Sequence, residues 1–187
     1  MALLEPDWKR PLLQRARAAI ARALGVDRGS DVSVVPDSIP NDLHAGAFVT
    51  LRLNGHLRGC IGYPEPDLPL LGVVERCAVS AALSDPRFPP LTAAEWDEVD
   101  LELSVLGRIE PVVDIAEVVI GRHGLIVESG RRRGLLLPQV AVEWRWDAAE
   151  FAAQTCVKAG LPSDAWQSGA SLFKFEAEVF GEDLTGD

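Results

Sequence analysis

An Asn54-Gly55 dipeptide separates two stretches of the chain in which apolar and polar residues alternate. Such alternation is typical of strands that bury one face, and Asn-Gly is the dipeptide that tight hairpin turns favour. A two-residue turn would place Leu53 opposite His56 and mix apolar with polar residues on one face. A turn that contains a bulge places Leu51 opposite Leu57 and keeps one face apolar, so we expect the bulged register.

Helical periodicity alternates with these strand patterns. Apolar residues recur at intervals of three and four before Gly25 and after Pro69, which predicts one helix ending at Gly25 and another opening at Pro69. The segments beginning at Thr92 and Asp147 both fit the capping-box pattern, so we expect these two residues to be N-caps. Short strands interrupted by helices predict an α+β fold with a largely antiparallel sheet.

Length and composition limit the class of protein. The chain has 187 residues, which fits one domain spanning residues 1–187, or at most two small, closely packed subdomains that share a core. Its hydrophobic content of 48% is sufficient for a packed core. No apolar run is long enough for a membrane span and no signal peptide is recognisable. A net charge of −10 disfavours a general nucleic-acid binder.

Cysteine and histidine content points to no cofactor. Three cysteines form neither a disulfide framework nor a C-x-x-C motif, and the three histidines lack the spacing of metal ligands. Nucleotide-binding loops and serine-hydrolase or zinc-protease motifs are absent from the sequence. We therefore expect a cytoplasmic protein without a bound metal or cofactor.

The segment Leu57–Gly62 concentrates the residues that could carry chemistry. In an extended segment, Arg58 and Cys60 share a face, where a guanidinium would favour the thiolate. Gly59 and Gly62 would let a ligand approach the backbone closely. A thiolate site and an anion pocket are both compatible with this pattern, and so is a strand that packs a small cysteine.

Three further residue types could complete such a site. A rigid proline-rich loop carries Asp85 and Arg87, which could pair across Pro86 and direct Arg87 into a cleft. His123 could act as a general base or as a partner of the thiolate, although a turn histidine has the same pattern. Gln139 follows a predicted buried strand that ends at Pro138, where its amide would be free to hydrogen-bond.

Taken in order along the chain, the motifs LRGCIG, SDPRFPPLT, GRHGL, GLLLPQVA and FAAQTCVKAGLPSDAW resemble the AMMECR-one domain family. The chain is similar in size to the stand-alone prokaryotic members of the AmmeMemoRadiSam set. The resemblance implies an α+β fold with a curved, mainly antiparallel sheet, possessing two unequal lobes that flank a cleft. It also implies Memo-like and radical SAM proteins as partners and makes LRGCIG the suspected functional element, but it supplies no reaction. A link to RNA has been suggested for the family.

Three functions are compatible with these observations. The first is an accessory or binding protein whose cleft, lined by Arg58, Cys60, Arg87, His123 and Gln139, takes a small anionic or nucleotide-like ligand. The second is an enzyme that uses Cys60 as nucleophile or acid/base, with His123 as its partner. The third is a scaffold for other proteins, which would show an exposed apolar patch and no polar cleft.

Overall fold

The computed structural model describes residues 3–26 and 39–182, which divide into two compact units. Unit 1 comprises the chain up to Val105 together with the residues from Glu178 onward, and unit 2 comprises Leu106–Ala177. Each unit has its own cluster of buried apolar side chains. The predicted α+β class with mainly antiparallel pairing is confirmed. A single domain with closely packed subdomains stays a prediction.

Unit 1 combines two helices with antiparallel strands. The helices are α1 (Pro6–Leu24) and α2 (Leu70–Leu83), and the strands are β1 (Ala47–Leu53), β2 (His56–Tyr63), β3 (Val99–Leu106) and the end of β7 (Ser171–Gly181). Their hydrogen-bonded order is β2-β1-β3-β7, so β2 is an edge strand. The predicted helix boundaries are confirmed, since Gly25 caps α1 in a left-handed conformation and α2 begins directly after Pro69.

The predicted register of the first hairpin is wrong. Asn54 and Gly55 both have positive φ, which makes a two-residue turn, and Leu53 pairs with His56. The bulge lies farther along, where Arg58 is the extra residue between the pairs Leu51–Gly59 and Arg52–Leu57. The sequence argument required one bulge to keep the core face apolar, but it placed that bulge in the turn and not in the strand.

Beyond the bulge, the faces of the hairpin follow the core. Val49 pairs with Ile61, and Val49 is fully buried in the apolar cluster of unit 1. Thr50 pairs with Cys60, so these two side chains share the opposite face of the sheet. The bulged residue therefore restores the alternation that a tight turn alone would have disrupted, and Cys60 still lies on the non-core face as the sequence predicted.

Unit 2 contains the remaining strands and two helices. Its elements are β4 (Glu110–Pro111), β5 (His123–Ser129), β6 (Arg132–Leu136), α3 (Pro138–Glu143), α4 (Ala148–Lys158) and the first part of β7. The strand order is β7-β5-β6, and β4 pairs with β7. Asp147 caps α4 by accepting from the Glu150 N–H at 2.8 Å, as predicted. The predicted strand ending at Pro138 instead ends at Leu136, because Pro138 opens α3 and places Gln139 in that helix.

Candidate functional site

Cys60 is partly exposed in the middle of edge strand β2. Its cross-strand neighbour Thr50 is buried, and the Thr50 hydroxyl donates a hydrogen bond of 3.4 Å to Cys60 Sγ. This O–H donor fixes the direction of the Cys60 side chain. The thiol therefore has one defined hydrogen-bond partner within its own sheet.

Both backbone groups of Cys60 are held by side chains from the proline-rich loop. The Cys60 N–H donates to Asp85 Oδ2 at 2.8 Å, and Arg87 Nη2 donates to the Cys60 carbonyl at 3.0 Å. Because β2 is an edge strand, these groups would otherwise face away from the sheet without a ladder partner. Asp85 and Arg87 thus replace one residue of a neighbouring strand, and we call this arrangement the Cys60 clamp.

The two side chains of the Cys60 clamp also bind each other. Arg87 Nε donates to Asp85 Oδ1 at 3.0 Å, and Arg87 Nη2 donates to Asp85 Oδ2 at 2.7 Å. The backbone N–H of Arg87 adds a further bond to Oδ1 at 3.0 Å. The carboxylate of Asp85 is 2% exposed, whereas the side chain of Arg87 is 51% exposed. The pairing of Asp85 with Arg87 predicted from the sequence is therefore present.

The charge on Asp85 is strongly stabilised. Hydrogen bonds from the Arg87 guanidinium hold the pKa of Asp85 well below its ordinary range, with burial opposing and the Cys60 and Arg87 N–H groups contributing. The same partnership raises the pKa of Arg87 above its ordinary value. In the folded protein, Asp85 and Arg87 are therefore both ionised at neutral and mildly acidic pH.

Local folding of the loop explains how Asp85 and Arg87 reach β2. Helix α2 ends at Leu83, and the Phe88 N–H then donates to the Asp85 carbonyl, forming a turn around Pro86. The guanidinium carbon of Arg87 lies 5.5 Å from the centroid of the Phe88 ring, which supports the arginine from a second direction. Proline restricts the backbone of this loop, so the clamp geometry is set before any ligand binds.

Arg58 is engaged elsewhere. Its Nε and Nη2 atoms donate to the two carboxylate oxygens of Glu95 at 2.9 and 3.1 Å, and Nη1 donates to the Pro89 carbonyl at 2.9 Å. A longer bond of 3.3 Å links Nη2 to the Pro90 carbonyl. The side chain is 11% exposed. Arg58 therefore fastens the proline-rich loop to the bulge of β2, and little of its hydrogen-bonding capacity is left for a ligand.

Glu95 is the site residue that sequence reasoning missed. Hydrogen bonds from the Arg58 guanidinium, and then from the N–H and hydroxyl of Thr92, together lower the pKa of Glu95 to about 2. The signal was present, since Glu95 is the last residue of the predicted capping box. The N-cap prediction for Thr92 is wrong, because the short 3-10 turn Trp96–Glu98 follows Glu95 and has no side-chain cap.

The two glycines of the segment are required by packing. A Cβ on Gly59 would lie 2.2 Å from the Ala81 carbonyl oxygen of α2, and a Cβ on Gly62 would lie 2.1 Å from the Phe48 ring. A real side chain at either position would have to displace its neighbour. Gly59 thus allows α2 to approach β2 closely, while Gly62 accommodates an aromatic side chain of β1.

His123 and Gln139 belong to unit 2. His123 opens β5, and its Nδ1 atom accepts the Val119 N–H at 3.0 Å, so the ring holds a turn together. Burial lowers the pKa of His123, and the nearby charges of Lys174 and Arg122 act in the same direction. Gln139 is half-buried in α3. Their assignment to one site with Cys60 stays a prediction.

The other two cysteines are buried. Burial raises the pKa of Cys77 to about 11 and also raises the pKa of Cys156. No disulfide joins the three cysteines, which all lie in the part of the chain that the structure describes. Within residues 3–26 and 39–182, no cluster of His, Cys, Asp and Glu could hold a metal ion. None of the helices in these ranges is both long and apolar enough to cross a bilayer.

Comparison with known proteins places the whole chain in one group. A protein of Methanothermobacter thermautotrophicus is 47% identical over 191 residues, covering 97% of this chain and 98% of its own. A protein of Pyrococcus furiosus is 43% identical over 196 residues, covering 98% and 92% of the two chains. The crystal structure of the uncharacterised protein PH0010 from Pyrococcus horikoshii matches with a TM-score of 0.86 at 40% identity, covering 97% and 94%. The family model AMMECR1 matches residues 13–180, and the chain therefore belongs to the AMMECR1 family.

Proposed function

We propose that this protein is an accessory binding protein whose functional element is the Cys60 segment, and that it takes a small anionic ligand there. The observation that carries the proposal is the Cys60 clamp. It immobilises both backbone groups of Cys60 while the thiol and the Arg87 guanidinium remain partly exposed. Such preorganisation reduces the entropy that a binding site loses when a ligand arrives.

The charges around Cys60 restrict the ligand. Arg58 pairs with Glu95 and Arg87 pairs with Asp85, so the two guanidiniums and the two carboxylates cancel. Arg87 uses Nε and Nη2 within the clamp, and Nη1 has no hydrogen-bond partner among the described residues. One guanidinium edge suits a single carboxylate or phosphate group. We therefore favour a small anion or a mononucleotide over a polyphosphate or an RNA backbone.

The expected partners and the expected location belong to the same proposal. The resemblance of the chain to stand-alone AMMECR-type proteins suggests that it acts alongside Memo-like and radical SAM proteins. Three cysteines without a disulfide are compatible with a reducing cytoplasm. That the ligand lies in a cleft, and that His123 and Gln139 contribute to it, are predictions from the sequence. Co-purification of the tagged protein with Memo-like and radical SAM proteins from the same cells would test the partnership.

Ligand capture tests the binding function. The purified protein is incubated with a cell metabolite and RNA extract, and retained molecules are identified by mass spectrometry for the wild type, Cys60→Ser and Arg87→Lys. Arg87→Lys keeps the charge beside Asp85 but loses the forked geometry. We expect the wild type to retain a small anion that both variants lose, while the buried-cysteine variant Cys156→Ser retains it. Equal retention by all four proteins would contradict the proposal.

An enzyme that uses the Cys60 thiolate is the second candidate, and the Thr50 hydroxyl bond to Sγ favours it. Iodoacetamide, which the thiolate attacks at carbon with loss of iodide, measures the reactivity directly. We expect Cys60 alone to react in the native protein, since Cys77 and Cys156 are buried. Thr50→Val should slow the reaction at neutral pH and Thr50→Ser should restore it.

Outcomes of the alkylation experiment separate the two candidates. Fast reaction that depends on the Thr50 hydroxyl would support the enzyme. A rate no faster than that of a free thiol, unchanged in Thr50→Val, would leave the thiol without activation and would count against it. Folding of each variant is checked by its thermal melting temperature, because Thr50 is a buried position.

A further inference from the structure

The outer edge of β2 is closed at Cys60 but open at Gly62. In an antiparallel pair, every second residue directs its N–H and C=O away from the neighbouring strand. Cys60 is such a residue, as its bonds to Asp85 and Arg87 demonstrate, and Gly62 lies two positions farther along the same strand. Among the described residues, neither backbone group of Gly62 has a partner on this edge.

A small cavity adjoins this open edge. It has a volume of about 120 Å³ and is lined by Gly62, by the apolar side chains of Leu68 and Val73, and by Ser80 and Arg76 of α2. Drug-sized ligands occupy pockets of roughly 300–1,000 Å³, so this cavity has room for one short side chain and little more. It lies entirely within unit 1.

Arg76 gives the cavity its charge. The residue is exposed, and no ion pair involves it within the described part of the chain. This is notable in a protein with a net charge of −10, in which many other arginines are paired with carboxylates. A ligand carboxylate would find here an uncompensated guanidinium beside a free donor and acceptor of the backbone.

We propose that this cavity binds the C-terminal residue of a partner protein that ends in an aliphatic amino acid. The terminal residue would pair with Gly62 as a strand of one residue, place its side chain against Leu68 and Val73, and set its carboxylate at Arg76. A continuing strand does not fit this edge, because the Cys60 clamp occupies the next outward-facing position. A chain end satisfies this geometry and supplies the negative charge. The proposal does not depend on a ligand at Cys60.

An NMR titration with a defined probe tests it. A short acetylated alanine peptide ending in valine is added to the full-length ¹⁵N-labelled protein, and the same peptide with an amidated C-terminus serves as the matched probe. We expect the free acid to shift the amide signals of Gly62 and Arg76 and to bind about two- to fivefold more tightly than the amide, as one exposed ion pair allows.

Two variants locate the binding. Arg76→Gln should weaken the free acid to the level of the amidated peptide, while Arg10→Gln, which removes another exposed arginine without an ion pair among the described residues, should leave its affinity unchanged. The proposal is overturned if the amide signal of Gly62 does not shift or if both peptides bind equally. It is also overturned if AMP, added as a mononucleotide probe, shifts these signals and the peptide does not. Because the two peptides are compared on the same wild-type protein, the result does not rest on a variant that fails to fold.

Discussion

Removing the charge of Asp85 should both destabilise the protein and change how its stability depends on pH. In Asp85→Asn the side chain keeps its shape, and the remaining amide oxygen can still accept the Cys60 N–H. The amide nitrogen then takes the place of Oδ1 and faces the backbone N–H and the Nε of Arg87, each of which lies 3.0 Å from Oδ1 in the native protein. Two bonds from Arg87 are therefore lost and the remaining Nη2 bond has a neutral acceptor, at a position that is almost completely buried.

The size of the effect follows from these contacts. A hydrogen bond to a charged group contributes about 1.5–3 kcal/mol, and removing one member of a fully buried pair costs about 3–5 kcal/mol. Arg87 is 51% exposed, so water can solvate the guanidinium that is left without its partner. We therefore expect Asp85→Asn to lower the free energy of unfolding by about 2 kcal/mol at pH 7.

The pH dependence gives an independent check of the same interaction. The folded state lowers the pKa of Asp85 below the unfolded value of about 3.9. Its contribution to stability is therefore fully present well above that value and is lost as the pH falls through and below it. The difference between wild type and Asp85→Asn should shrink between pH 6 and pH 3, whereas it would stay constant for a purely steric effect.

Urea unfolding at several pH values measures both quantities, with the exposed Asp97→Asn as the control for a lost surface carboxylate. The control should remain within about 0.5 kcal/mol of the wild type. A loss below 0.5 kcal/mol in Asp85→Asn at pH 7 would refute the clamp as a stabilising contact. A loss that does not change with pH would refute its electrostatic origin.

Two further substitutions examine other contacts of the site. Glu95→Gln should lower the free energy of unfolding by about 1–2 kcal/mol at pH 7, because it breaks the forked bonds from Arg58. The difference in stability between this variant and the wild type should vanish towards pH 2, and an equal loss at all pH values would contradict the prediction. Gly59→Ala should lower the free energy of unfolding by about 1–3 kcal/mol, because the new methyl group clashes with Ala81. The control Gly72→Ala, on the exposed surface of α2, should leave stability unchanged or raise it. Equal melting temperatures for the two variants would disprove the close approach of α2 to β2.

Periodic elements were predictable from the sequence because each depends on residues close together along the chain. The end of α1 at Gly25, the beginning of α2 after Pro69 and the N-cap at Asp147 all follow from local backbone preferences. The hairpin register could not be predicted in this way, because a tight turn with a later bulge and a bulged turn both keep the core face apolar. To distinguish them requires contacts between residues distant in sequence, such as the close approach of α2 to β2 at Gly59.

The candidate site was predicted in its residues but not in its connections. Spacing along one strand placed Arg58 and Cys60 on one face, and the sequence added Arg87 to the same anion site, with Asp85 as its possible partner. In the structure, each arginine is paired with a carboxylate of the proline-rich loop or of the turn that follows it. Arg58 and Glu95 are 37 positions apart in the sequence, and no periodic pattern predicts a contact over that separation.

The LRGCIG segment therefore serves the fold as well as the proposed function. An unprotected edge strand exposes backbone N–H and C=O groups that can pair with other chains. The Cys60 clamp occupies these groups at the centre of β2 without adding another strand. The next outward-facing position, Gly62, stays open beside Arg76, which forms no ion pair among the described residues. If nonspecific strand pairing is what the clamp prevents, Asp85→Asn should aggregate faster than Asp97→Asn under conditions that give the two variants the same folded fraction, as light scattering can measure. Equal aggregation of the two variants would mean that the clamp positions Cys60 and does not protect the edge.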